Sequence, residues 1–127
     1  MQRKVYNNIV RRGYRKGWNA SQFAARQVCK LAEELGELAR TLTFSYYFPY
    51  WHDSVKRAGH SARNAFDDAG SRNGVEIDVE QAKKELADLQ VVVFCLAEVL
   101  AELDGKPFDV VEAAEIKSAS DIERGIR

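Results

Sequence analysis

The chain has 127 residues, and its 19 Lys+Arg balance its 19 Asp+Glu to a formal net charge of zero. That length is near the modal size of one domain, and a hydrophobic share of 46% with 30% charged residues is ordinary for a soluble globular chain and argues against disorder as the default. The longest apolar run, residues 91–97, is seven residues, against about 20 for a bilayer span, so no transmembrane segment is expected.

The neutrality conceals a separation. Residues 1–32 hold eight basic groups and no acid, leaving eleven basic and nineteen acidic groups in residues 33–127. No apolar stretch succeeds the basic N-terminus, so no export signal is read and a cytoplasmic address is expected. Cys29 and Cys95 sit in apolar-periodic segments outside any CxxC or Cys/His cluster, which predicts two reduced, buried thiols.

In chain order, residues 1–18 read as a basic, irregular segment interrupted by Gly13 and Gly17. Asn19 or Ser21 can cap the next helix. Over residues 21–43, Val28, Leu31, Leu35, Leu38 and Leu42 recur at spacings of three and four, which predicts an amphipathic helix. Residues 44–51 carry six aromatics around Pro49, and the proline ends or kinks that helix. A weaker helical stretch is expected over residues 53–68 with Asp53 as its cap, then a loop over residues 69–75. Asp78 and Gln81 have the form of a capping box. They open a second long helix, in which Val79, Ala82, Leu86, Leu89, Val93, Leu96, Leu100 and Leu103 keep a strict alternation of three and four. Its middle, residues 91–97, is apolar all round and should be buried on most faces. Gly105 and Pro107 end it, and Asp109 caps a short final helix. No strand pattern of any length is read. The expected fold is all-α and four-helix-bundle-like, one domain over residues 1–127 with residues 44–77 inserted between the two long helices.

Two acidic clusters lie on those helices, Glu33-Glu34-x-x-Glu37 and Glu85-x-x-Asp88. At 100° per residue, Glu34 lies roughly 80° from the centre of its apolar stripe and Glu85 roughly 60° from the centre of its own. If the helices pack along their stripes, Glu34, Glu37, Glu85 and Asp88 converge on one shallow site. Facing carboxylates repel, and a hard divalent cation relieves the repulsion; an all-oxygen set suits Mg²⁺, with Mn²⁺ as a substitute. A di-iron carboxylate bundle would need Glu-x-x-His, but Pro49 and Arg57 stand three residues before His52 and His60.

These motifs carry a resemblance. Glu33-Glu34-Leu35-Gly36-Glu37-Leu38 followed by Glu85-Leu86-Ala87-Asp88 resembles the EExxE and ExxD motifs of the MazG-like, all-α nucleoside triphosphate pyrophosphohydrolases. The order Gly17-Trp18, LAEELGELAR, KKELADLQ, then Lys117 and Arg124 matches that family over most of the chain. The resemblance implies a MazG-type four-helix core that binds Mg²⁺ and cleaves a nucleoside triphosphate to the monophosphate and pyrophosphate, in nucleotide-pool housekeeping. It further implies Glu34, Glu37, Glu85 and Asp88 as metal ligands, with Glu33 as another ligand or as the group that orients the attacking water.

The chemistry is consistent with this. Phosphoryl transfer needs charge neutralisation and an in-line water more than a protein nucleophile. No Ser/His/Asp or Cys/His arrangement competes, and GxxxxGK[ST] is absent. Phosphate contacts then fall to Lys30, Arg40, Lys84, Lys117 and Arg124, although the first three equally suit ordinary helical ion pairs. The aromatic segment is either core or subunit-interface filler, or a base-stacking wall built from Trp18, Tyr47 or Trp51. The long apolar helix exceeds the needs of one small bundle, so a homodimer or homotetramer is expected. The competing reading is a non-enzymatic helical module that binds nucleic acid or an acidic partner through its basic N-terminus.

Overall fold

The computed structural model describes residues 1–44, 63–64, 66–67 and 74–125. Among these residues the chain is mainly helical: α1 (Gln2–Arg11), α2 (Ala20–Ala39), α3 (Val79–Asp104) and α4 (Val110–Glu123), with a two-stranded ribbon of β1 (Leu42–Phe44) and β2 (Val75–Ile77). No helix among them is long and apolar enough to cross a membrane. The chain divides into two compact units, one of residues 1–27 and 91–127, the other of residues 28–90.

The first unit is built around Phe23, Cys95 and Val99, with Tyr6, Ile9, Ala20, Ala24, Val91 and Leu96 packed against them. Each such buried side chain contributes about 1.5–3 kcal/mol. The middle of α3 behaves as its composition predicts: Val92, Phe94, Cys95 and Ala97 are all buried. Residues 2–11, read from sequence as irregular, are helical instead. Val5, Tyr6 and Ile9 give α1 a narrow apolar face, too short among Arg, Lys and Asn to register as a period. The Tyr6 ring meets Phe23 edge-on, with centroids 6.3 Å apart. Gly13 and Gly17 do interrupt the helix as expected, each at φ +86, a conformation that glycine adopts without strain.

Charge is paired inside this unit. Arg15 grips Glu102 with both guanidinium nitrogens at 2.6 and 3.0 Å, donates to the Tyr6 hydroxyl at 2.5 Å and lies over the Phe23 ring. Arg3 pairs with Glu98 at 3.2 Å. Gln2 closes the turn before α4 by donating to the Phe108 carbonyl at 2.7 Å and accepting from the Val110 N–H at 2.9 Å. Asp109 caps α4 as predicted, accepting from the N–H groups of Val111 and Glu112.

The caps of α2 and α3 also agree with the sequence. Asn19 accepts from the Gln22 N–H at 2.8 Å while the Gln22 side chain accepts from the Asn19 N–H at 3.0 Å, a reciprocal box. Asp78 accepts from the Gln81 N–H at 3.1 Å.

In the second unit the expected helix over residues 21–43 stops at Ala39. Thr41 and Thr43 are β-branched and Phe44 is aromatic, and such residues favour an extended chain; the helix therefore ends well before Pro49. β1 pairs antiparallel with β2 in the register Leu42 to Ile77, Thr43 to Glu76 and Phe44 to Val75. The ribbon corrects the expectation of no strand. With three residues per strand, alternation is too brief to be seen in a sequence. It joins the two ends of the inserted segment. Of the helix expected over residues 53–68, the described residues 63–64 and 66–67 are helical; Asp53, His52 and His60 lie outside the described residues.

The apolar stripes are not the most buried faces. On α2, Val28 is 56% and Leu35 is 36% exposed, whereas Glu34 is 7% exposed. At 100° per residue Glu34 falls within roughly 20° of Phe23 and of Gln27, and all three are buried. The helix thus buries a face turned toward its acid. Cys29, beside Val28, is exposed rather than buried for the same reason.

Candidate functional site

The ribbon sets the site. Where its strands meet their helices, the Asp78 N–H donates to the Thr41 carbonyl at 2.9 Å. Glu34 stands seven residues before Thr41, and Glu85 stands seven after Asp78. At 1.5 Å per helical residue both acids lie about 10 Å from this joint along their chains. Matched offsets bring them to one level.

Carboxylate oxygens of Glu34, Glu37 and Glu85 lie within 4.8 Å of one another. Two unit charges at that separation repel by about 3 kcal/mol at an effective dielectric of about 20. Each of the two shielded acids has one oxygen occupied. Lys30 pairs with Glu34 Oε1 at 3.4 Å, and Gln81 donates to Glu85 Oε1 at 2.6 Å. Glu34 Oε2 and Glu85 Oε2 are buried and accept no hydrogen bond among the described residues. A buried carboxylate oxygen without a donor carries a large desolvation penalty, which a cation relieves directly. The donor set, oxygen only and carboxylate only, fits a hard divalent ion.

Glu33 and Asp88 are exposed and stand outside this triad. The geometry therefore brings together three of the five acids singled out in the sequence. Beside the triad, Glu37, Arg40, Thr41, Thr43, Asp78, Gln81 and Glu85 line an open cleft of about 510 Å³, within the size range of small-molecule sites. Thr41 itself is buried and donates its hydroxyl to the Leu38 carbonyl at 2.7 Å.

The basic candidates separate by their partners. Lys30 is the ion-pair partner of Glu34, the bland reading of its spacing. Lys117 and Arg124 belong to the other unit and both bind Asp121, at 2.5 and 2.8 Å. These two cations hold the Asp121 carboxyl below its ordinary range, Lys117 contributing more. Lys84 is exposed and outside the cleft lining. Trp18, in the first unit, is 42% exposed with the Arg26 guanidinium 5.6 Å above its ring. Tyr47 and Trp51 lie outside the described residues.

Two roles are not apparent from the sequence. Gln81 has the spacing of a capping box, but its side chain reaches forward to Glu85, an i,i+4 relation open to any helical Gln–Glu pair. Thr43 reaches the cleft only because a strand forms. The charge separation also changes form. Arg3 and Arg15 find their partners in the first unit, which holds eleven basic and eight acidic residues; the second holds eight basic and eleven acidic. Compared with family models, curated proteins and solved structures, the chain matches none.

Proposed function

We propose that this chain is a Mg²⁺-dependent nucleoside triphosphate pyrophosphohydrolase that cleaves a (d)NTP to the (d)NMP and pyrophosphate. The observation that carries the reading is the pair of buried, unpartnered oxygens on Glu34 and Glu85 inside a three-carboxylate cluster. The MazG-like motif order supports it, because Glu34, Glu37 and Glu85 are acids which that resemblance makes ligands.

Glu34, Glu37 and Glu85 hold the ion in this proposal, and Mn²⁺ substitutes for Mg²⁺. When bound, the ion neutralises phosphate charge and makes water a competent nucleophile near neutral pH. The chain's own residues then bind and orient. Lys30 and Gln81 fix one oxygen of Glu34 and of Glu85, leaving the second oxygens to the ion in this proposal. The resemblance adds Asp88, one turn beyond Glu85, as a fourth ligand, and Glu33 as a further ligand or the group that orients the attacking water; both stand outside the triad. A MazG-type core and a cytoplasmic address belong to the same proposal.

A homodimer or homotetramer is part of it too. Val28 and Leu35 on α2, and Val79, Leu86, Leu100 and Leu103 on α3, belong to the apolar stripes yet are exposed by 36–56%. A second copy is the partner that gives these periodic faces a use. Light scattering across a dilution series tests this.

The test of activity is incubation with a panel of NTPs and dNTPs in Mg²⁺. Pyrophosphate release, lost on chelation and in Glu37→Gln, is expected; orthophosphate alone, or no product, overturns the proposal.

A further inference from the structure

The cleft beside the triad contains one of the cations that the sequence offers as a phosphate contact. Arg40 lines it together with the carboxylates of Glu37, Asp78 and Glu85, yet it is exposed and forms no ion pair among the described residues. Lys30, Lys117 and Arg124 all face a carboxylate partner. A guanidinium left open in this way presents its planar fork, the geometry that matches two phosphate oxygens at once.

Arg40 is also fixed at its base. Its N–H is shared between the Gly36 and Glu37 carbonyls at 3.2 Å each, where α2 ends. Three residues on, Thr43 lies on the ribbon, exposed where its neighbour Leu42 is half-buried, as strand alternation requires. In the register that sets Thr43 opposite Glu76, Thr43 lines the same cleft, and its hydroxyl can donate a hydrogen bond.

We propose that Arg40 and Thr43 form a phosphate subsite that binds the phosphate group next to the one held at the acid triad, so that the ligand is a phosphate chain of at least two units. Arg40 supplies charge and a bidentate contact; Thr43 supplies one neutral hydrogen bond. The subsite depends on the ribbon, which carries Thr43 and ends α2 at the position that frees Arg40 from the helical surface. This inference rests on the metal-dependent reading of the triad.

Calorimetry with the full chain separates the two. The probes are Mn²⁺ alone and preformed Mn²⁺–tripolyphosphate, tested on the unmodified protein, Arg40→Gln, Arg40→Lys and Thr43→Val. Both positions are exposed, and circular dichroism verifies folding. Arg40→Gln is expected to leave Mn²⁺ affinity within about twofold and to weaken Mn²⁺–tripolyphosphate at least about tenfold, the loss of a charge-assisted pair of bonds. Arg40→Lys should recover part of the loss, and Thr43→Val should weaken binding about threefold. Unchanged tripolyphosphate affinity in Arg40→Gln, or none in the unmodified protein that binds Mn²⁺, overturns the subsite alone. Absence of Mn²⁺ binding overturns the triad reading and the subsite with it.

Discussion

Glu34 and Glu85 are held alike: each has its Oε1 engaged, by Lys30 or by Gln81, and each has its Oε2 buried without a donor among the described residues. A stable fold tolerates such an arrangement when a ligand completes it. Two buried oxygens without a donor, on neighbouring carboxylates of two helices, are better explained by binding than by stability, because a helix surface offers many cheaper positions for Glu.

The triad should therefore oppose folding when no ion is bound. Glu34→Gln and Glu85→Gln are expected to match or exceed the unmodified thermal midpoint in chelator, since each removes a like charge. In Mg²⁺ the order reverses: the unmodified chain gains about 2.7 kcal/mol at an ion concentration 100-fold above its dissociation constant, while the variants gain little. Thermal scans with and without Mg²⁺ check this.

Gln81 donates to Glu85 Oε1, and in the proposed metal site it positions that ligand without touching the ion. Gln81→Leu is expected to leave helical content intact and to lower Mn²⁺ affinity about tenfold, the usual effect of removing a partner that orients a ligand. A titration followed by electron paramagnetic resonance reads the affinity directly. An unchanged affinity shows that Glu85 needs no such support.

Most helices and all three capping side chains, Asn19, Asp78 and Asp109, are legible in the sequence, because caps and apolar periods are local signals. The acids are legible as a set, but their selection is not. Glu34, Glu37 and Glu85 come together through the Thr41–Asp78 bond and a ribbon of three-residue strands, and nothing local in Thr41-Leu42-Thr43-Phe44 announces its distant partner. The buried faces mislead for a related reason. Periodicity locates apolar residues, and Val28 and Leu35 are apolar, but which face is covered depends on what the rest of the chain brings to it.

The first unit should respond to acid through Arg15 and Glu102. The Arg15 guanidinium holds the Glu102 carboxyl below its ordinary value of 4.5. A depressed carboxyl stabilises the fold above its unfolded pKa and loses that contribution as pH falls through the folded one. With the Glu102 side chain 50% exposed, the pair is worth about 1 kcal/mol or less. Glu102→Gln should accordingly lower the denaturation midpoint at pH 7, with the difference from the unmodified chain shrinking below about pH 4. Urea unfolding across that range measures it.

The two cysteines should differ in reactivity. Burial, reinforced by the nearby Glu98, pushes the Cys95 thiol up to about 11, so it is protonated and shielded at neutral pH. Cys29 is exposed. A thiol reagent at pH 8 should modify Cys29 rapidly in the folded chain and Cys95 only under denaturant, as mass spectrometry of the digested protein will show. Equal rates contradict the core assigned to Cys95.

In the proposed reading the triad holds the ion that drives cleavage between the α- and β-phosphates. The most direct measurement is Mg²⁺-dependent hydrolysis of a nucleoside triphosphate in ¹⁸O-enriched water, by the unmodified chain and by Glu34→Gln. Monophosphate and pyrophosphate are expected from the unmodified chain, with turnover reduced at least about a hundredfold in Glu34→Gln, as for loss of a group that stabilises the transition state. Pyrophosphate release by Glu34→Gln at the unmodified rate, or no release by the unmodified chain with any nucleotide, contradicts it.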